Sequence, residues 1–173
     1  YLDLVNDAYK KDKLMGMVQS KKGDSDVYDI GCLGKISDYQ KIKDGRILIN
    51  LTGISRFRIL KEISSKKLYR EFEVDYQSFN EDIKSSYDKI NTVILMEKAK
   101  TFFKRNGLLL NWIEFEKLDH IQKINTLAMI APITNEEKQK LLETVSLKNK
   151  VEILESIISF YLHETNLNNQ TIQ

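Results

Sequence analysis

The residue types that carry catalysis are sparse in this sequence and poorly grouped. The two histidines, His120 and His163, lie far apart and lack the spacing of a zinc-ligand set. Both fall beside predicted helix ends and read as helix-surface residues. Cys32 is the one cysteine. It sits in an apolar stretch without an indicated histidine partner, so it reads as a small buried hydrophobe and not as a nucleophile. Gly31 and Gly34 form a GxxG pair. A phosphate loop needs GxxxxGK[ST], because backbone N–H groups and a lysine must together wrap the phosphates. No such run occurs, and the two glycines read as strand bends. Glu81 and Asp82 are adjacent carboxylates with no further ligands around them. They read as the acidic start of a helix, where negative charge suits the dipole. The sequence therefore supports no catalytic, cofactor-binding or metal-binding assignment.

Two groups of residues point instead to binding. Arg56 and Arg58 share a strand face, with Arg46 nearby. They would form either a cationic strip for acidic peptides or phosphate, or ion pairs with Glu71, Glu73 or Asp75 on a neighbouring strand; ion pairing is the favoured reading. Tyr28, Tyr39, Phe57, Tyr69, Phe72 and Tyr76 make an aromatic-rich strand set. Most of these belong in a core, and any left exposed would suit sticky, unfolded segments. Tyr28, Tyr39, Phe57 and Phe72 are the candidate peptide-binding residues. Trp112, between two predicted helices, reads as a packing residue.

These residues need a scaffold, and composition bounds it. The chain has 173 residues, 42% hydrophobic and 30% charged, enough for a core without disulfides or metals. With 27 basic against 25 acidic residues the net charge is +2, which argues against a dedicated nucleic-acid or membrane-surface binder. The longest apolar run, Leu127 to Ile133, is far short of the ~20 residues of a membrane helix. A single cysteine suits a reducing, cytoplasmic compartment.

Six of the seven glycines precede residue 54, so the first half reads as strands and turns and the second as helices, an α+β arrangement. Leu2–Lys10 has helical spacing. Leu14–Gln19, Val27–Tyr39, Arg46–Leu51, Ile54–Leu60 and Leu68–Phe79 read as strands, and Asp44-Gly45 as the hairpin turn. In the last of these strands Phe72, Val74 and Tyr76 share a face. Bends at glycine favour a small, partly closed antiparallel barrel. From Glu81 to Arg105 a long helix is predicted, with Ile83, Tyr87, Ile90, Ile94 and Phe102 on one face and Gly107 as its stop. Asp119, Thr134 and Ser146 are predicted N-caps, the second with a capping box to Glu137. The last helix carries a stripe of Leu147, Val151, Leu154, Ile158 and Tyr161. The expected division is 1–80 (β-rich), 81–165 (helical) and 166–173 (a polar tail that frays).

At this level of detail the order of motifs resembles the substrate-binding (LON) domain of the Lon protease family. Met15-Gly16-Met17-Val18-Gln19, Tyr28 to Ile36, Asp44-Gly45-Arg46 and Leu51 to Ile59 carry the likeness in the first half. Asn111-Trp112, Asn125 to Met129, Pro132 and Glu137 to Glu143 carry it in the second, where it is similar to standalone bacterial LON-domain proteins. Gly16, Gly31, Gly34, Gly45, Gly53, Arg56 and Phe57 are the family-motif positions, mainly structural. The resemblance implies an N-terminal PUA-like antiparallel pseudo-barrel followed by a C-terminal helical bundle, and a non-catalytic domain that binds polypeptide substrates or a protease or chaperone partner. It implies no cofactor. The Ser–Lys pair of the family's peptidase has no counterpart here. Such domains usually open with a strand that would precede Tyr1, so the first strand is expected to be missing. Two alternatives remain at this point: a PUA-like RNA-binding module, against which the near-neutral charge argues, and the N-terminal part of a complete ATP-dependent Lon protease, against which the polar C-terminal stretch argues.

Overall fold

Asp44-Gly45 closes the hairpin around which the N-terminal half is built. In the computed structural model Gly45 has φ of 88°, a left-handed value that a Cβ would disfavour. Asp44 accepts from the Arg46 backbone N–H at 3.1 Å and from its Nε at 2.8 Å. The structure describes residues 1–23, 26–83 and 90–170. The chain divides into two units, Tyr1–Ser86 and Tyr87–Gln173.

The first unit runs α1 (Leu2–Lys10), β1 (Leu14–Met17), β2 (Ile30–Lys41), β3 (Ile47–Ile63) and β4 (Glu71–Asp75), then a 3-10 segment, Gln77–Ile83, kinked at Phe79. All strand pairings are antiparallel and the order β1-β2-β3-β4 follows the sequence. The sheet is therefore a meander with β1 and β4 at its edges. Register shifts at Leu33/Gly34, Ile36/Asp38 and Ile59/Lys61 bend it. Two strands expected around residues 46–60 are one, β3. Val27 stands outside β2, in an isolated bridge to Ser20.

Close approach explains two of the glycines. A Cβ on Gly31 would lie 2.6 Å from Phe57 Cζ and 2.7 Å from the Met17 carbonyl oxygen, and one on Gly34 would lie 2.4 Å from Leu51 Cγ. The Phe57 ring thus occupies the space a side chain at 31 would need. Under α1, Val5, Ala8, Met15 and Ile36 form a small core with Tyr39 packed against it. Tyr39 stacks on Tyr9 at a ring separation of 4.3 Å.

Arg56 corrects the expected strand-to-strand ion pairing. Its partner is Asp82 in the 3-10 segment, through Nη2–Oδ1 at 2.7 Å and Nε–Oδ2 at 2.9 Å, and Oδ2 also accepts the Arg56 backbone N–H. The side chains are 9% and 17% exposed. The guanidinium also lies over the buried Phe79 ring at 4.5 Å. Asp82 is accordingly no helix-starting residue, and the segment Gln77–Ile83 belongs with the sheet. Arg58 is exposed and Arg46 pairs with Asp44, so the three arginines form no strip. The β4 carboxylates Glu71 and Glu73 pair with Lys67 and Lys61.

The second unit contains α2 (Val93–Arg105), α3 (Trp112–Glu116), α4 (His120–Ile130), α5 (Asn135–Glu143) and α6 (Leu147–Gln170). Its core includes Leu95, Ala99, Phe102, Ile124, Leu127, Leu154 and Ile158. Capping boxes form at Asp119/Gln122 and Thr134/Glu137, and the Ser146 hydroxyl accepts from the Asn149 N–H at 3.4 Å. Trp112 packs edge-on against Phe103 and Phe115.

The helix expected from Glu81 is shorter: α2 begins at Val93, after Thr92. Its buried face is Leu95, Ala99, Phe102 and Phe103. With Ile90 outside the helix, the phase of the apolar stripe restarts, and Ile94 turns outward at 55% exposure. Tyr87 lies outside the described residues. At the other end α6 continues to Gln170, beyond the point where the polar tail was expected to fray. No helix among the described residues is long and apolar enough to cross a membrane.

Candidate functional site

The first unit holds a cleft of about 660 Å³. Its walls come from three places in the sequence. Leu4 and Ala8 face it from α1 and Lys11 from just after it, Leu14 to Val18 form one side, and Phe72, Val74 and Tyr76 form another. The two edge strands of the sheet, β1 and β4, thus meet at one cavity without pairing with each other.

Phe57 is the floor. It is 4% exposed, lies against Gly16 and Gly31, and meets Tyr76 edge-on at 6.3 Å. A Cβ on Gly16 would come within 3.2 Å of the ring, so the glycine lets Phe57 pack close against β1. Phe72 is half-buried and lines the wall. Of the four candidate aromatics, the structure brings together Phe57 and Phe72. Tyr39 is stacked on Tyr9 away from the cleft, and Tyr28 does not line it. Gly16 is the family-motif glycine in the wall itself. Gly31 and Gly34 act through packing, Gly45 through its turn, and Gly53 has only an ordinary 3.6 Å contact with Cys32 Sγ.

The rim is polar. Residues 64–70, between β3 and β4, carry Leu68 at 89% exposure beside charged neighbours. The Tyr69 hydroxyl donates to Asp7 Oδ2 at 2.8 Å, which ties this segment to α1. That bond to a carboxylate pushes the phenol pKa up. Lys67 pairs with Glu71, holding its carboxyl below the usual range, and Arg70 does the same to Glu62. Sequence reasoning missed β1 and Leu68 as site residues. The signal available for β1 was its shortness before a polar loop, a mark of an edge strand.

Among the described residues no group of three or more histidine, cysteine, aspartate or glutamate side chains could hold a metal ion. Cys32 is half-buried, its Sγ 3.6 Å from the Leu33 carbonyl oxygen. His120 and His163 are both exposed.

A family model described as the ATP-dependent protease La (LON) substrate-binding domain matches residues 1–159. The chain belongs to this family. The LON domain is 28% identical over 178 residues to the Lon protease of Syntrophus aciditrophicus (strain SB), covering 94% of the chain and 22% of that protein. It is 26% identical over 141 residues to the Lon protease of Brevibacillus choshinensis, covering 77% of the chain and 17% of that protein. The chain thus spans about a fifth of the length of the curated relatives it matches. Among solved structures, a Lon N-terminal domain protein from Xanthomonas campestris has a TM-score of 0.64 at 20% identity, over 90% of this chain and 82% of that one. The N-terminal domain of the Mycobacterium avium complex Lon protease has a TM-score of 0.61 at 18% identity, over the same shares. At these identities the likeness is one of fold, and the LON domain shares their α+β architecture. The match falls on the substrate-binding domain, which is the non-catalytic part.

Proposed function

We propose that this LON domain is a non-catalytic, cytoplasmic binding module for polypeptide, taking unfolded or exposed apolar segments in extended form at the cleft of its first unit. The observation that carries this reading is the meeting of both sheet edges at one aromatic-floored cavity. An edge strand offers unpaired main-chain groups to an incoming chain, and apolar surface beside it accepts side chains. Phe57 and Phe72 are the proposed contact residues. Polypeptide substrates, or a protease or chaperone partner presenting such a segment, are the proposed partners.

The test is a titration of the chain with a permanently unfolded protein, its folded form serving as control. Saturable binding at tens of micromolar or tighter, the range of ordinary weak recognition, is expected for the unfolded form alone. Absence of saturable binding would overturn the reading.

A further inference from the structure

The helix α2 stops on a chemically reactive pair. Asn106 is the one asparagine in this sequence that is followed by glycine. It is the C-cap of α2, and Gly107 follows it with φ of 67°. A left-handed residue just past a helix end favours glycine, so the stop itself calls for Gly107. The same glycine leaves its own nitrogen without a side chain to shield it. Both residues are exposed, and a Cβ on Gly107 would meet nothing within 4 Å.

An asparagine can close a five-membered ring onto the next backbone nitrogen. The Gly107 nitrogen loses its proton to solvent base and attacks Asn106 Cγ. A new N–C bond forms, the Cγ–Nδ2 bond breaks, and the amide nitrogen leaves as ammonia after taking a proton from solvent. Water then opens the cyclic imide at one carbonyl or the other. One opening gives aspartate. The other gives isoaspartate, in which the main chain runs through Cβ and Cγ.

The folded cap holds these groups apart. Asn106 Nδ2 donates to the Phe102 carbonyl at 2.9 Å, which turns the amide back along the helix. The Gly107 N–H donates to the Lys104 carbonyl at 3.2 Å, and the Leu108 N–H to the Phe103 carbonyl at 3.0 Å. Ring closure needs the Gly107 nitrogen in the plane of the Asn106 Cα–Cβ bond, and a ψ of 8° leaves it far outside that plane. The last turn of α2 must therefore open before the ring can form. That turn carries Phe102 and Phe103, 3% and 2% exposed. It also carries Arg105, whose Nη1 donates to the Leu162 carbonyl of α6 at 3.0 Å.

We infer that Asn106-Gly107 is a self-modification site, closed while the end of α2 is folded and reactive when it opens. The site lies in the second unit and is independent of polypeptide binding at the cleft. Either product lacks the Nδ2 donor to Phe102 and places a carboxylate at a helix C-terminus, where the dipole disfavours it. Lys104 and Arg105 in the last turn offset part of that charge. Nothing offsets the extra main-chain atom of isoaspartate, which shifts the Gly107 and Leu108 N–H groups out of register with their carbonyls. A transient opening of α2 thereby becomes a lasting one.

The full chain, incubated at neutral pH in buffer and in urea, tests this by mass and by peptide mapping that separates aspartate from isoaspartate. Asn106 should be the fastest-modified asparagine in urea. In buffer it should react at least about tenfold more slowly, because the reaction then waits on a minor open population. The isolated isoaspartate form, returned to buffer, should lose hydrogen-exchange protection over residues 102–108. Asn106→Gln keeps an amide but closes its ring poorly, and should resist modification in both solvents. Equal rates in buffer and urea would overturn the inference. So would an unmodified Asn106 in urea, or an isoaspartate form whose protection matched that of the starting chain.

Discussion

The Tyr69 hydroxyl and the Asp7 carboxylate meet at 2.8 Å. This single bond joins the segment before β4 to α1, two walls of the same cleft. The phenol pKa is raised, first by the hydrogen bond to Asp7. A phenol whose folded pKa is raised contributes stability below its ordinary value of 10.0, and loses it as pH rises through the higher folded value. Ultraviolet titration of tyrosinate should show one late-ionising tyrosine, absent in Tyr69→Phe. An unchanged titration curve in that variant would refute the assignment.

Gly31 and Gly53 should respond differently to the same substitution. A Cβ at 31 meets Phe57 Cζ at 2.6 Å and main chain at 2.7 Å, whereas one at 53 meets only Cys32 Sγ at 3.6 Å. Gly31→Ala should cost about 1–3 kcal/mol by overpacking. Gly53→Ala should be near neutral, because its contact is ordinary and its backbone lies outside the left-handed region. Urea unfolding midpoints of the two variants decide this.

Arg56 and Asp82 form a largely buried ion pair with two side-chain hydrogen bonds of 2.7 and 2.9 Å. Removing one partner leaves the other charge desolvated, which typically costs about 3 kcal/mol. Asp82→Ala should lower the thermal midpoint clearly. Adding Arg56→Met should recover part of the loss, since Met leaves no buried charge over Phe79. Additive losses in the double variant would contradict the pairing.

Acid should loosen the rim before the fold. Glu71, held low first by Lys67, and Glu62, held low first by Arg70, sit below their ordinary 4.5. Carboxylates with lowered folded pKa contribute above that ordinary value and lose the contribution as pH falls through the depressed one. Glu62 is exposed and Glu71 half-buried at the surface, so the effect is local. Hydrogen exchange, corrected for its intrinsic pH dependence, should show residues 64–70 losing protection below pH 4.5 while β2 and β3 retain theirs.

Local signals were well legible in the sequence. The helix Leu2–Lys10, the Asp44-Gly45 turn, the caps at Asp119 and Thr134, and the shared face of Phe72, Val74 and Tyr76 each depend on residues a few positions apart, and all are present. The Arg56–Asp82 pair spans 26 positions, and nothing local distinguishes Asp82 from a helix-starting acid. The start of α2 was hidden because Ile83, Ile90 and Ile94 continue an apolar period across a break. The cleft was only half legible. Aromatic composition pointed to Phe57 and Phe72, but the fate of Tyr39 depended on Tyr9, thirty positions away, which stacks on it.

Peptide-induced amide shifts in nuclear magnetic resonance locate the binding surface most directly. Titration with an unfolded polypeptide should move the amides of residues 14–18 and 71–76 together, saturably, and Phe72→Asp should suppress the shifts without unfolding the chain. Shifts confined to residues 90–170, or undiminished in Phe72→Asp, would contradict polypeptide binding at this cleft.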